Sequence, residues 1–312
     1  MPFSAKINKE DIFPVIHLKD ESAKTQATIY SFGALLNGFV INEDLNVIDG
    51  FDSCSDAKEN ITKSFRSSKL SPFVCRITDG KYSFNQREYK TGKFFLEKES
   101  IHGLLYDANF TIGSCGVDDL CAFATLQYEY TKKDEGFPFD YSCTVTYRLE
   151  KQNKLSIITS VRNDSQQEMP LADGWHPYFR MGGVIDDLFL KLNADEVLEF
   201  NDKLVPTGNI LPFNKFQTTQ LFGKTFLDNC FLLKNHEQPA CVLEDPVNKL
   251  RLSIWADPSY PYLQIYTPDH RHSIAIENLS SAPDAFNNGM GLVILKPQQS
   301  HEFKTTYCVE GF

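Results

Sequence analysis

The clearest alternation of apolar and polar residues in this chain runs through Tyr141-Ser142-Cys143-Thr144-Val145-Thr146-Tyr147-Arg148-Leu149. Glu150-Lys151-Gln152-Asn153-Lys154 interrupts it, and it resumes in Leu155-Ser156-Ile157-Ile158-Thr159-Ser160-Val161. A period of two residues is the pattern of a strand with one buried face, and a polar segment between two such strands is typical of a turn. This stretch therefore predicts an antiparallel hairpin with one face packed on a core.

Shorter strands separated by turn residues are predicted through most of the remaining chain. No segment shows helical spacing over more than about three turns, and the chain contains no internal repeat, low-complexity tract or Gly/Ser linker. We therefore predict an all-β fold, a large antiparallel β-sandwich, in which residues 1–312 form a single domain. The shorter strands are expected at residues 27–32, 38–41, 71–77, 81–84, 188–192, 197–200, 230–233, 250–255, 262–266, 273–277, 292–295 and 303–309.

Two local expectations concern the N-terminal half. Residues 52–70 are polar, with Ser, Asp and Lys clustered, and predict a long excursion over the surface. Asp79-Gly80 is a strong signal for a two-residue hairpin turn, which predicts that the strands on either side of it pair with each other.

The charge balance excludes several classes of partner. The chain has 31 Lys and Arg against 41 Asp and Glu, a formal net charge of −10. An acidic protein repels nucleic-acid phosphates and anionic lipid headgroups, so we expect no nucleic acid and no membrane as partners. Residues 1–20 have no secretory signal, and the eight scattered cysteines contain no C-x-x-C pair. We therefore expect a reducing, cytoplasmic location and no thiolate metal site.

The stretch Leu171-Ala172-Asp173-Gly174-Trp175-His176-Pro177-Tyr178-Phe179 places one histidine among three large aromatic residues. Because proline has no amide hydrogen, His176 is expected to end a strand or to lie on an edge or bulge. Trp175 and Tyr178 have flat apolar faces and polar tips, which suit a sugar ring. The alternative is a buried histidine in an aromatic core, bonded to a backbone carbonyl.

Four further residues are candidates for binding or chemistry, each with a structural alternative. Arg76 interrupts an apolar strand, so it either pairs with a buried carboxylate or directs its donors at ligand hydroxyls. His102 precedes Gly103, which allows close backbone approach. Asp228 begins a strand and is either a turn former or a ligand-facing acid. Glu277 is expected to end an apolar strand, either exposed at the tip or facing a cleft.

In this order along the chain, these residues resemble the aldose 1-epimerase (galactose mutarotase-like) family. The resemblance runs from about residue 27 to the C-terminus, and its most specific part is His176-Pro177-Tyr178-Phe179 with the later Glu277 and Pro283-Asp284-Ala285. It implies the large β-sandwich of that family and the interconversion of α and β anomers of a free aldose. Other members have Asn where this chain has Trp175, a difference that bears on which sugar is bound.

The resemblance also implies roles for the residues. Glu277 would be the general base and His176 the general acid, and Arg76, His102 and Asp228 would bind sugar hydroxyls. Trp175 and Tyr178 are the further substrate-binding candidates, through their flat faces. Anomer exchange needs one proton removed from the C1 hydroxyl and one delivered to the ring oxygen, so an acid and a base suffice without metal or cofactor. A carboxylate nearby would help to keep His176 protonated. The expected partner is a monosaccharide, and the expected assembly is a monomer or weak homodimer.

Three alternatives stay open at this level. A hexose 6-phosphate would need fixed cations, for which Arg180 and Arg76 are candidates. A sugar-binding sandwich without catalysis would use the aromatic residues but would not need both Glu277 and His176. His270-Arg271-His272 suggests a metal, but after Pro268-Asp269 it is more typical of a hairpin tip.

Overall fold

Strands form most of the fold, and turns join them. The structure, a computed structural model, describes residues 2–312. Neither of the helices in these residues is long and apolar enough to span a membrane. The elements are β1 Phe3–Asn8, β2 Val15–Asp20, β3 Thr25–Tyr30, β4 Leu36–Ile41, β5 Leu45–Asn46, α1 Cys54–Ser64, β6 Ser68–Leu70, β7 Arg76–Ile77, β8 Lys81–Phe84, β9 Arg87–Lys90, β10 Phe95–Leu96, β11 Glu99–Ile101, β12 Thr111–Val117, β13 Cys121–Thr131, β14 Asp140–Glu150, β15 Lys154–Asn163, β16 Met169–Leu171, β17 Gly174–His176, β18 Tyr178–Phe179, β19 Phe189–Leu192, β20 Ala194–Phe200, β21 Pro206–Pro212, β22 Gln220–Leu221, β23 Asp228–Leu233, β24 Cys241–Asp245, β25 Leu250–Ala256, β26 Tyr262–Tyr266, β27 Ile274–Leu279, α2 Ala285–Asn288, β28 Val293–Leu295 and β29 Ser300–Gly311.

Two large sheets pack face to face. One has nine strands in the order β12-β13-β14-β15-β29-β25-β24-β19-β22, and the other has eight, β21-β20-β23-β26-β27-β17-β6 with β18 paired to β27. Rings from the two sheets meet in the core, as in the pairs Tyr147–Trp175 at 6.3 Å and Phe179–Tyr307 at 5.1 Å between centroids. The prediction of an all-β antiparallel sandwich is confirmed. The single-domain arrangement stays a prediction, supported by one core cluster that draws residues from Phe3 to Val309.

The predicted hairpin is β14 and β15, and it lies in the middle of the nine-stranded sheet. Its strands pair antiparallel from Tyr141 opposite Asn163 to Glu150 opposite Lys154. Burial along β14 alternates strictly from Asp140 to Glu150, with every second side chain buried. The buried face covers the core, and this prediction is confirmed.

The expectation of a surface excursion over residues 52–70 holds for the exposed side of 52–64 but is wrong for the end of the segment. Helix α1 occupies Cys54–Ser64, and Ser53 caps it by accepting a hydrogen bond from the Asp56 amide at 3.1 Å. The helix buries only Cys54, Ala57 and Ile61, an apolar stripe too narrow to be seen among polar residues. Strand β6 then follows, fully buried, so this segment enters the core.

The hairpin expected at Asp79-Gly80 is also wrong. Strand β7 pairs with β11, while β8 pairs with β9 across Asn85-Gln86. Both dipeptides have the positive φ angles of a tight turn, so the sequence cannot tell which of them closes a hairpin. The Thr78 amide, just before Asp79-Gly80, donates a hydrogen bond to the Asp284 carboxylate at 3.0 Å. This bond connects the Asp79-Gly80 turn to the residue that precedes α2.

Candidate active site

A cleft of about 680 Å³ lies on the eight-stranded sheet. Strands β17, β18, β23, β26 and β27 contribute to its lining, and the C-terminal end of α1 forms part of its wall. The cleft brings together all of the sequence-predicted site residues except Trp175. Those that line it are Arg76, His102, His176, Tyr178, Asp228 and Glu277.

His176 and Glu277 face each other in this cleft. His176 ends β17, and Pro177 separates it from β18, as the sequence predicts. Glu277 lies within β27 rather than at its end, and it is 2% exposed, so the alternative of a glutamate exposed at a strand tip does not hold. The imidazole Nε2 of His176 lies 3.4 Å from the carboxyl Oε1 of Glu277.

Burial sets the protonation of this pair. It raises the pKa of Glu277 well above its usual range, and the nearby Asp228 charge adds to the increase. Burial also lowers the pKa of His176 to about 4. Burial therefore opposes the expected protonation of His176 by a nearby carboxylate, because loss of hydration penalises both charged forms.

His102 forms a second wall beside His176. The two imidazole centroids are 5.0 Å apart at 86°, and Phe65 packs on the other side of His102 at 4.5 Å. A side chain at Gly103, which has φ +74°, would meet the Ser71 carbonyl oxygen at 2.5 Å, so this turn requires glycine. Burial, and then the proximity of His176 and Arg76, lowers the pKa of His102 well below its usual range.

Asp228 and Gln264 form the adjoining part of the floor. Gln264 Nε2 donates to Asp228 Oδ1 at 2.8 Å, and Gln264 lies opposite Glu277 in the β26–β27 ladder. Burial raises the pKa of Asp228, against the opposing effects of Arg76 and Gln264. Sequence reasoning missed Gln264, although an amide between Leu263 and Ile265 in an apolar strand was a usable signal.

Arg76 and Trp175 differ from what was expected of them. Arg76 is half-buried at the cleft, and its Nη1 donates to the Lys203 carbonyl at 2.7 Å, so it is not the buried ion pair of the structural alternative. Trp175 alternates with His176 along β17 and points into the core between the sheets, where it contacts Tyr147. Trp175 does not line the cleft, so it is not among the residues that could contact a bound sugar.

Several polar atoms at the cleft are buried without a hydrogen-bond partner among residues 2–312. They are His102 Nδ1, His176 Nδ1, Gln264 Oε1 and Glu277 Oε2. Buried polar atoms in folded proteins are normally hydrogen-bonded, so these four atoms are unused hydrogen-bonding capacity at the lining of the cleft.

The wall of the cleft contains residues that sequence reasoning placed elsewhere. Lys63, Phe65 and Arg66 come from the end of α1, a segment expected to lie on the surface. His270 comes from the loop joining β26 and β27, which confirms the predicted hairpin tip. No group of three or more metal-binding side chains is present within residues 2–312.

Known proteins resemble this chain in sequence over most of its length. The family model for aldose 1-epimerase matches residues 14–308. The uncharacterized protein YihR of Escherichia coli (strain K12) is 26% identical over 240 residues, 74% of this chain and 75% of YihR. The maltose epimerase of Levilactobacillus brevis is 24% identical over 212 residues, 60% of this chain and 62% of that protein.

The fold is shared with solved structures. A galactose mutarotase-like protein from Clostridium acetobutylicum superposes with a TM-score of 0.87 at 21% identity, and the match covers 99% of both chains. At that identity the likeness shows the fold alone, whereas the family model covers nearly the whole sequence. The chain belongs to the aldose 1-epimerase family.

Proposed function

We propose that this protein is a cofactor-independent mutarotase that interconverts the α and β anomers of a free hexose. The observation that carries the proposal is the approach of His176 Nε2 to Glu277 Oε1, 3.4 Å apart in a cleft with unpaired polar atoms. An acid and a base so close can exchange protons with two oxygens on one hemiacetal carbon.

The reaction balances with these two side chains alone. Glu277 takes the proton of the C1 hydroxyl, and O1 becomes the oxygen of an aldehyde. The C1–O5 bond breaks with its electron pair moving to O5, which takes a proton from His176. Rotation about C1–C2 and the reverse transfers then close the ring on the other face. Each proton transfer contributes about 10²–10⁴-fold to the rate.

Glu277 acts as the base only when the one proton of the pair lies on His176. Burial alone favours the neutral forms, with the proton on Glu277. A bound sugar offers hydroxyl donors to the carboxylate, and hydrogen bonds to a charged form favour that form. Substrate binding therefore moves the pair toward the reactive arrangement.

The remaining residues that line the cleft are proposed to bind the ring hydroxyls. His102 in the wall and Asp228 in the floor offer hydrogen-bonding groups to the sugar, and Gln264 lies between the Asp228 and Glu277 positions. Tyr178 stacks on His176 with centroids 5.2 Å apart and restrains the imidazole. Arg76 donates to the Lys203 carbonyl and places its positive charge in the lining of the cleft.

Polarimetry on freshly dissolved α-D-glucose, α-D-galactose and maltose tests the proposal; maltose is included because one relative is a maltose epimerase. We expect the optical rotation to reach equilibrium faster with the protein in proportion to its concentration. If no sugar responds, and binding is nevertheless measurable by calorimetry, the non-catalytic sugar-binding alternative is correct instead.

A hexose 6-phosphate is the second candidate substrate, because Lys63 and Arg66 line the cleft. Lys63 lies in the last turn of α1 and Arg66 in the segment joining α1 to β6, and Arg66 is also 3.6 Å from Asp49. Arg180, suggested by the sequence, instead bonds the Asn46 carbonyl and does not line the cleft. Parallel assays on glucose and glucose 6-phosphate decide between the two, and we expect the larger kcat/KM for the free sugar.

A further inference from the structure

A buried charged side chain lies beneath the candidate active site, on the core side of the same sheet. Lys69 in β6 is fully buried, and its Nζ lies 2.5 Å from Asp173 Oδ1. The same ammonium donates to the Gly174 carbonyl at 3.1 Å and lies 4.4 Å from the centre of the Trp175 ring. One cation therefore contacts each of the three consecutive residues that lead to His176.

The surrounding contacts connect this cation to both catalytic strands. Lys69 is paired with Trp175, and Ser68 with His176, in the β6–β17 ladder. Tyr260 donates to Asp173 Oδ1 at 2.7 Å. The Asp173 amide donates to Ser280 Oγ at 2.8 Å, and its carbonyl accepts from the Ser280 amide at 2.9 Å. Ser280 follows directly after β27, the strand of Glu277.

Stability alone does not explain this arrangement. Replacing a buried ion pair by uncharged residues of similar volume is often neutral or stabilising, because desolvation of the two charges offsets their attraction. Asp173 Oδ2 also has no partner within residues 2–312. The ion pair instead fixes the orientation of the backbone leading to His176. The Lys69 nitrogen makes three contacts, and each one constrains a different residue from Asp173 to Trp175.

We propose that Lys69, held by Asp173, is a positioning residue that fixes the backbone of β17 and so sets His176 against Glu277. The inference rests on the proposed function, in which His176 and Glu277 exchange protons with a sugar. Lys69 does not line the cleft, so it acts through His176 and not on the substrate.

The test is the double variant Lys69→Met/Asp173→Asn, which leaves the net charge unchanged and keeps the side-chain volumes similar. The methionine sulfur can lie on the Trp175 ring, and the asparagine keeps a partner for Tyr260. We expect the variant to fold with a free energy of unfolding close to that of the wild type, with kcat at least 10-fold lower and KM changed less than 3-fold.

A second readout does not depend on turnover. The pKa of His176 is measured by NMR, with the signal assigned by its loss in His176→Gln. We expect this pKa to rise in the double variant from about 4 toward the ordinary value of 6.5, because a loosened strand lets water reach the imidazole.

The control variant is Leu149→Ala in β14, which removes a buried core side chain that does not line the cleft and so lowers stability. It separates loss of positioning from loss of stability, since we expect its kcat to be unchanged. The inference is overturned if the double variant keeps both the wild-type kcat and the wild-type pKa of His176. If the wild type itself has no mutarotase activity, the proposed function fails, and the NMR result alone decides the role of Lys69.

Discussion

The β14–β15 hairpin and the strands under the cleft use the same backbone pairing for opposite purposes. Along β14 every second side chain is buried. In β27 every residue from Ile274 to Leu279 is buried, and polar side chains lie among apolar ones. The hairpin has one face for the core and one for solvent, whereas β27 has one face for the core and one for the cleft.

The comparison shows where polar groups are left without partners. In the hairpin the Tyr141 and Thr159 hydroxyls are also buried without a partner among residues 2–312, and neither of them lines the cleft. In β27 Glu277 is buried with an unpaired oxygen, and its strand partner Gln264 has an unpaired carbonyl oxygen too. Such groups lower stability, so both regions bear this cost, and in the cleft the unpaired atoms belong to the His176–Glu277 pair and to the neighbouring Gln264.

The largest expected effect comes from Glu277→Gln in the cleft. An amide has nearly the same shape as the carboxyl group but cannot take a proton, so we expect kcat to fall about 10²–10⁴-fold with sugar affinity largely kept. Polarimetry measures the rate, and isothermal calorimetry measures the affinity. A variant with the full rate would show that Glu277 is not the base.

The second largest effect is expected in the hairpin, for Leu149→Ala. Leu149 is fully buried and lies opposite Leu155. Removing a buried leucine side chain costs about 2–5 kcal/mol, through lost burial and the cavity left behind. Urea unfolding should show this loss while kcat stays at the wild-type value. A fall in kcat would mean that the hairpin and the cleft are more closely coupled than the comparison implies.

The smallest effect is the pH dependence of stability in Glu277→Gln. The pKa of Glu277 is raised in the folded state, so its contribution is fully present below the usual 4.5 and is lost as pH rises through the folded pKa. The Glu277→Gln variant has no ionisable group at this position, so it lacks this loss of stability with rising pH. We expect its free energy of unfolding to gain on that of the wild type above pH 4.5, by up to about 1.4 kcal/mol per pH unit.

Urea titrations of both proteins at pH 5 and pH 6 measure this difference, which is at most about 1.4 kcal/mol over that one-unit step. A difference that does not change with pH would mean that Glu277 titrates normally in the folded state, and that the cleft is more hydrated than its burial indicates. The His176 contribution has the opposite sign: it is lost as pH falls from 6.5 through about 4. Since both proteins keep His176, this term largely cancels in the comparison.

Local patterns in the sequence predict the parts of the fold that depend on near neighbours. The period of two in Tyr141–Leu149 predicts its hairpin because burial alternates with the pleat. Pro177 predicts the end of β17 because it has no amide hydrogen to donate. Helix α1 escaped detection because its buried face consists of Cys54, Ala57 and Ile61 among polar residues.

The arrangement of the candidate site depends on contacts between distant segments. The sequence could nominate His176 and Glu277, but their 3.4 Å separation arises because β18 pairs with β27 around Pro177. The local sequence does not show that Trp175 faces the core and His176 faces the cleft. Both side chains combine an aromatic ring with a polar nitrogen, so either could occupy either side of the sheet. From the sequence, Lys69 is expected to be an exposed lysine in a polar surface segment. Its burial follows from the pairing of β6 with β17.

The sequence by itself determined the antiparallel β architecture, the strand end at His176 and the residue types available for acid–base chemistry. These follow from side-chain period, backbone sterics and chemical identity, which act within a few residues. The tertiary structure decided which side chains share the cleft, which way their pKa values move and which buried charge supports them. Those properties depend on burial and on distances across strands, and neither exists until the two sheets have packed.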